Sequence, residues 1–165
     1  MADGLLPADL TALAARVIEA NRAAGRRVAV AESCTGGLVC AALTEIPGAS
    51  AVLDRGFVTY SNEAKREQLG VREEIIDTFG AVSIACAWAM AQGALRHSDA
   101  DVAVAISGIA GPTGGTEQKP IGTVVLARAI RGQDEVEAEE QLLDGSSRAA
   151  MRRQAALAAL ELLLP

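Results

Sequence analysis

Aromatic side chains are scarce in this chain. Phe57, Tyr60, Phe79 and Trp88 are the whole set among 165 residues. With so few, an exposed ring would be informative, and the default expectation is that most of the four fill the core. Histidine is scarcer still. His97 is the only one, and it falls at the far end of a predicted helix, so a Ser–His–Asp triad is not expected. The three cysteines, Cys34, Cys40 and Cys86, are odd in number and lack paired metal-ligand spacing. A disulfide framework or a zinc site is therefore not expected, and reduced thiols in a cytoplasmic protein are. No apolar run reaches the ~18–20 residues of a membrane span. Asp3 follows the initial methionine too closely for a signal peptide. Positive charge is in deficit, with a formal net charge of −6. That argues against broad binding to nucleic acid or an anionic membrane, while leaving room for a small anionic ligand in a local pocket.

What the chain does have is aliphatic bulk: half of its residues are apolar. The length fits one domain, read as spanning residues 1–165. Helical spacing covers Leu5 to Ala24, with Asp9 as a candidate cap. Strands are predicted at Arg27 to Glu32, Gly56 to Tyr60 and Asp101 to Ser107. Helices are predicted at Thr35 to Glu45, Glu63 to Leu69, Arg72 to Phe79 and Ile84 to Arg96, and a helical fragment at Ala51 to Asp54. Ser61-Asn62 and Ser83 are capping signals. Pro120 to Ile130 and Glu135 to Leu143 are so closely joined that they form an antiparallel hairpin. Ser146 to Leu164 is a closing helix. This order specifies an α/β layer fold with a mixed sheet.

In such sheets ligands lie beyond the carboxyl ends of the parallel strands. Ser33, Tyr60 and Ser107-Gly108 all fall there. Val28 to Leu38 reads V-A-V-A-E-S-C-T-G-G-L: a strand, a glycine-containing corner and a helix start. Ser33 is a candidate nucleophile. The backbone N–H groups of Cys34, Thr35, Gly36 and Gly37 are candidate donors to an oxyanion. G-x-S-x-G is absent, so this is not the α/β-hydrolase elbow. Thr35 and Cys34 are rivals to Ser33, with Thr35 better placed as a helix cap. Lys65 is the candidate base, because burial and a helix N-terminus both disfavour its charge. Tyr60 is a candidate proton relay or a cover for a flat substrate. The loop S-G-I-A-G-P-T-G-G, Ser107 to Gly115, matches neither a Walker A loop nor a dinucleotide fingerprint, and its backbone suits a phosphate, ribose or carboxamide. Ser107, Gly108, Ile109, Ala110, Gly111 and Thr113 are its candidate contacts. Arg148 opens the last helix and invites an anion, with Arg152 one turn on as reinforcement. Each residue has a plainer local reading: a turn serine, a solvated lysine, a packed tyrosine, an arginine paired with Glu139, Glu140 or Asp144.

Together these segments resemble a known family. A-E-S-C-T-G-G (Ala31 to Gly37), G-F-V-T-Y-S-N-E-A-K (Gly56 to Lys65), G-V-R-E-E (Gly70 to Glu74), G-A-V-S (Gly80 to Ser83), S-G-I-A-G-P-T-G-G, K-P-I-G-T-V (Lys119 to Val124) and R-R-Q-A (Arg152 to Ala155) run in order through nearly the whole sequence. They resemble the C-terminal domain of the competence/damage-inducible protein CinA, which also occurs alone as nicotinamide-nucleotide amidohydrolase. The resemblance implies a three-layer α/β/α fold with a mixed, five-stranded sheet. It implies hydrolysis of the carboxamide of nicotinamide mononucleotide to nicotinic acid mononucleotide and ammonia, without metal or cofactor. The family's serine, tyrosine and lysine match Ser33, Tyr60 and Lys65. Where relatives often carry Gly-Asp-Arg, this chain reads G-S-S-R (Gly145 to Arg148), keeping the arginine and losing an acid. The larger members' N-terminal domain is expected to be absent. Two other readings stay open: a non-catalytic nucleotide-binding or regulatory module, and a serine amidase for another small amide. The expected partner is a small nucleotide rather than nucleic acid or membrane. The alanine-rich, apolar composition also suits a homo-oligomer, although no stretch marks an interface.

Overall fold

The structure, a computed structural model, describes residues 4–165. The expectation about a signal peptide concerns residues outside that range. Among the described residues six helices and five strands follow in order: α1 (Ala8–Ala23), β1 (Val28–Glu32), α2 (Leu38–Thr44), β2 (Leu53–Val58), α3 (Asn62–Leu69), α4 (Glu73–Phe79), α5 (Ile84–Arg96), β3 (Val102–Gly108), β4 (Thr123–Ile130), β5 (Val136–Leu142) and α6 (Arg148–Leu162), with a 3₁₀ turn at Ala49–Ala51. The sheet order is β2-β1-β3-β4-β5. β2, β1 and β3 are parallel, while β4 and β5 add as the expected antiparallel hairpin.

Side-chain size divides the sheet into two unlike faces. In β1 and β3 valine alternates with alanine, and strand geometry sends successive side chains to opposite faces. Val28, Val30, Val102, Val104 and Ile106 face one layer, packing with Leu10, Val17, Leu43 and Leu160 from α1, α2 and α6. Ala29, Ala31, Ala103 and Ala105 face the other, where the alanine-rich α5 packs together with Leu69 of α3 and Ile76 of α4. Small residues on both sides of that interface bring α5 close to the sheet. These are the three layers that the resemblance implies.

Several boundaries differ from expectation. α1 begins at Ala8 after Pro7, and Asp9 does not cap it; the Asp9 carboxylate instead pairs with Arg153 of α6 at 2.6 Å. α2 begins at Leu38, not Thr35. The fragment expected at Ala51 to Asp54 is a turn ending at Ala51, and β2 starts at Leu53. Tyr60 therefore lies beyond its strand. β4 starts at Thr123, because Pro120 has no N–H to give a ladder. α6 starts at Arg148, where Ser147 accepts the Ala150 N–H. Ser61 and Ser83 cap α3 and α5 as their sequence positions suggest.

The aromatic expectation fails. Tyr60, Phe79 and Trp88 are 62%, 54% and 41% exposed, and only Phe57 packs against the core. A core of closely fitted valine, alanine and leucine leaves little room for rings.

One contact ties this packing to the site. A Cβ at Gly93 of α5 would collide with the backbone carbonyl of Leu69, at the end of α3. The missing side chain lets α3 lie against α5, and α3 carries Lys65. Gly93→Ala is expected to lower stability by about 1–3 kcal/mol through overpacking, read as a shifted urea midpoint with an unchanged slope.

Candidate active site

The Ser33 corner is built around a buried carboxylate. Glu32, the last residue of β1, is fully buried. Its Oε1 accepts the N–H groups of Gly37 at 3.2 Å and Val39 at 3.0 Å, and its Oε2 accepts that of Cys40 at 3.1 Å. The strand thus supplies the anion that the start of α2 requires. Thr35 does not cap that helix: the N-cap position is Gly37, with no side-chain cap. Among the described residues the Thr35 hydroxyl is buried without a partner.

These bonds settle which N–H groups remain free. Gly37 donates to Glu32, and Gly36 donates to the Ser33 carbonyl at 3.0 Å. Two of the four donors expected for an oxyanion are therefore engaged inside the protein. Among the described residues, the N–H groups of Cys34 and Thr35 have no protein acceptor.

Ser33 follows β1 directly and is held by its N–H bond to Ile106 of β3. Lys65 reaches it from the fourth position of α3. The Lys65 amine is buried, and its Nζ lies 3.0 Å from Ser33 Oγ, 2.8 Å from the Thr59 carbonyl and 3.2 Å from the Tyr60 carbonyl. Two of these three partners can only accept. In its neutral form such an amine has two N–H bonds and one lone pair, which would give both hydrogens to the carbonyls and leave the lone pair for the serine hydroxyl. Lys65 forms no ion pair with any described residue. Burial pulls its pKa below the ordinary lysine value of 10.5. The rival thiol is disarmed by the same burial, which pushes Cys34 up to about 11, so it stays protonated at neutral pH.

In front of Ser33 is a cleft of about 240 Å³, lined by Ser33, Cys34, Tyr60, Arg148 and the loop from Gly108 to Gly114. Gly108 lets that loop press on the corner: a Cβ there would lie 2.8 Å from Val124 Cγ2 and 3.2 Å from Cys34 Sγ. Ile109, Ala110, Gly111 and Thr113 line the cleft as expected, but Ser107 does not; it is buried within β3, paired with Val125. Arg148 donates Nη1 to the Gly111 carbonyl at 2.7 Å and Nη2 to Tyr60 Oη at 3.0 Å. No described carboxylate pairs with it, so the plainer reading as a partner of Glu139, Glu140 or Asp144 does not hold. His97 caps α5, its Nδ1 2.9 Å from the Gly93 carbonyl.

Comparison with known proteins identifies the family. The CinA C-terminal domain family matches residues 10–165. The chain belongs to that family. The nicotinamide-nucleotide amidohydrolase PncC of Escherichia coli K12 is 49% identical over 155 residues, covering 94% of this chain and 93% of PncC. A CinA-like protein of Akkermansia muciniphila is 54% identical over 136 residues, 81% of this chain but 33% of its own length. This chain likewise spans 28% of a relative from Caldicellulosiruptor saccharolyticus that is 57% identical over the shared part. It therefore corresponds to about a third or less of such long relatives. The crystal structure of the competence/damage inducible protein CihA from Agrobacterium tumefaciens superimposes with a TM-score of 0.92 at 50% identity, covering 96% of each chain.

Within this CinA-type domain, sequence reasoning missed two residues. Glu32 lies inside the A-E-S-C-T-G-G motif, and an acid ending an otherwise apolar strand was the available signal. Arg152 was assigned to an anion site. Instead its Nε donates to the Cys34 carbonyl at 3.1 Å and its Nη2 to the Thr35 carbonyl at 2.9 Å.

Glu32→Gln replaces an acceptor with an NH₂ group that faces backbone donors. It is expected to cost about 2 kcal/mol, seen as a Tm about 4–8 °C lower. A Tm within about 1 °C of wild type would show that water replaces the carboxylate.

Proposed function

We propose that this protein is an amidohydrolase acting on the carboxamide of nicotinamide mononucleotide, over a single domain spanning residues 1–165. The observation that carries the reading is the Lys65–Ser33 contact: a buried amine that touches two backbone carbonyls and, at 3.0 Å, the serine hydroxyl. The PncC likeness over nearly both whole chains supports the substrate. A module that only binds nucleotides gains nothing from a desolvated lysine, whose burial costs stability.

In this mechanism Lys65 takes the Ser33 proton as Oγ attacks the carboxamide carbon. The negative charge that develops on the carboxamide oxygen is met by the N–H groups of Cys34 and Thr35. The tetrahedral adduct collapses as the C–N bond breaks. The proton held by Lys65 reaches departing ammonia, with Tyr60 as relay. Tyr60 Oη already accepts from Arg148, which leaves its own hydrogen to donate. Water then attacks the acyl-serine and gives a proton to Lys65, which returns it to Ser33 Oγ as the Oγ–C bond breaks and nicotinic acid mononucleotide leaves. Arg148 and the Gly108–Gly114 loop hold the phosphate and ribose.

Incubation with nicotinamide mononucleotide should release ammonia. Ser33→Ala should lose at least about 10³-fold in kcat and Lys65→Ala about 10²–10⁴-fold. The neutral amine is the active form, so kcat/KM should rise with pH and level off, with a midpoint below 10.5. No ammonia from folded wild type sinks the activity, and full activity in Ser33→Ala sinks the mechanism. Arg148→Ala should raise KM about 10–100-fold with a smaller change in kcat; an unchanged KM would take the phosphate away from Arg148.

A further inference from the structure

Arg152 holds a cation against neutral partners. Among the described residues it pairs with no carboxylate, and its fork takes the carbonyls of Cys34 and Thr35, the two residues that follow Ser33. In a trans peptide the N–H points opposite to the C=O of the same plane. The bond from Nε to the Cys34 carbonyl therefore sets the direction of the Thr35 N–H. That N–H belongs to a fully buried residue and has no protein acceptor among the described residues, a rare condition for a buried donor unless something else supplies the oxygen. The preceding peptide is fixed from the same side, because the Ser33 carbonyl accepts the Gly36 N–H and so turns the Cys34 N–H the other way.

We infer that Arg152 is a positioning residue for the oxyanion site. It clamps the carbonyl side of the nucleophile loop: its bond to the Cys34 carbonyl orients and polarises the peptide of the Thr35 N–H, and its bond to the Thr35 carbonyl polarises the peptide of the Gly36 N–H, which holds the Ser33 carbonyl and so orients the Cys34 N–H at the cleft. This rests on the serine mechanism proposed above and replaces the idea that Arg152 binds a substrate anion. The fork geometry explains the choice of arginine: one guanidinium spans two successive carbonyls, which a lysine ammonium on a flexible stem does less well.

The other side of the Arg152 side chain opens on a mostly apolar cleft of about 400 Å³, lined by Leu10, Leu38 and Ala150 among others. An added guanidinium ion can therefore reach the space vacated in Arg152→Ala.

The test compares wild type, Arg152→Ala and Arg152→Lys, each checked by thermal melting. Two rates are read. One is ammonia release from nicotinamide mononucleotide, giving kcat and KM. The other is labelling of Ser33 by a fluorophosphonate. There an O–P bond forms, the P–F bond breaks, fluoride leaves, and the serine proton passes to Lys65. Arg152→Ala should lose about 30–300-fold in kcat and in labelling rate, with KM within about 3-fold and the pH midpoint unchanged. Arg152→Lys should fall between the two. Millimolar guanidinium chloride should restore rate to Arg152→Ala and leave wild type unaffected. A retained kcat, or a raised KM with kcat retained, overturns the inference. So does a rate loss in a normally melting Arg152→Lys that equals that of Arg152→Ala and is not rescued by guanidinium. If Arg152→Ala does not fold, Arg152→Lys against wild type decides. Wild type that releases no ammonia but labels rapidly removes the substrate assignment and leaves Arg152 to be judged on labelling. Wild type that does neither overturns both.

Discussion

Everything around the cleft depends on one desolvated amine. Lys65 contacts three oxygens, all of them uncharged. A carboxylate in the place of any one would favour the charged form of the amine, against the burial that lowers its pKa. The fold keeps acids away from this point. The buried acid nearby, Glu32, spends its oxygens on the start of α2. The carbonyls of Thr59 and Tyr60 come from the chain between β2 and α3, so the segment that delivers Lys65 also supplies its two acceptors. The Lys65 amine and its surroundings are set by one short loop and one helix, held in place by the close contact of α3 with α5 at Gly93.

The parts of this arrangement that were legible in sequence are local ones. Strand ends, glycine corners and capping serines depend on neighbours a few residues away. They were enough to place Ser33, Tyr60 and Lys65 at one edge of the sheet. Family resemblance then drew these residues together and implied the mixed five-stranded sheet. What could not be read depends on contacts between distant segments. Whether the helix start after Ser33 was open to a ligand hinged on where the Glu32 side chain turned. Arg152 and Cys34 are far apart in the chain, and a charge one turn beyond Arg148 looked like a second anion site. Ser107 looked like part of the loop, yet the pairing with β4 continues through it. The aromatics were misjudged because hydrophobicity was taken as burial, when the Val/Ala alternation of β1 and β3 had already allotted the core to smaller side chains.

The two arginines of α6 illustrate how position on a helix divides labour. Arg148, in its first turn, bridges Gly111 and Tyr60 across the mouth of the cleft. Arg152, four residues later, reaches the opposite side of the same corner. One helix thus touches the nucleophile loop, the glycine-rich loop and the phenol. A shift of α6 would disturb all three at once, and the Asp9–Arg153 pair between α1 and α6 resists such a shift from outside.

The buried carboxylate of Glu32 also bears on how a catalytic cycle would end. An uncovered helix start beside the nucleophile would attract any acid formed there. With Glu32 already seated on those N–H groups, a newly made carboxylate meets a like charge close by. For the reaction proposed above, the corner that receives a passing negative charge on two free N–H groups is poorly suited to keeping a permanent one. Such a site would favour turnover over retention of its product.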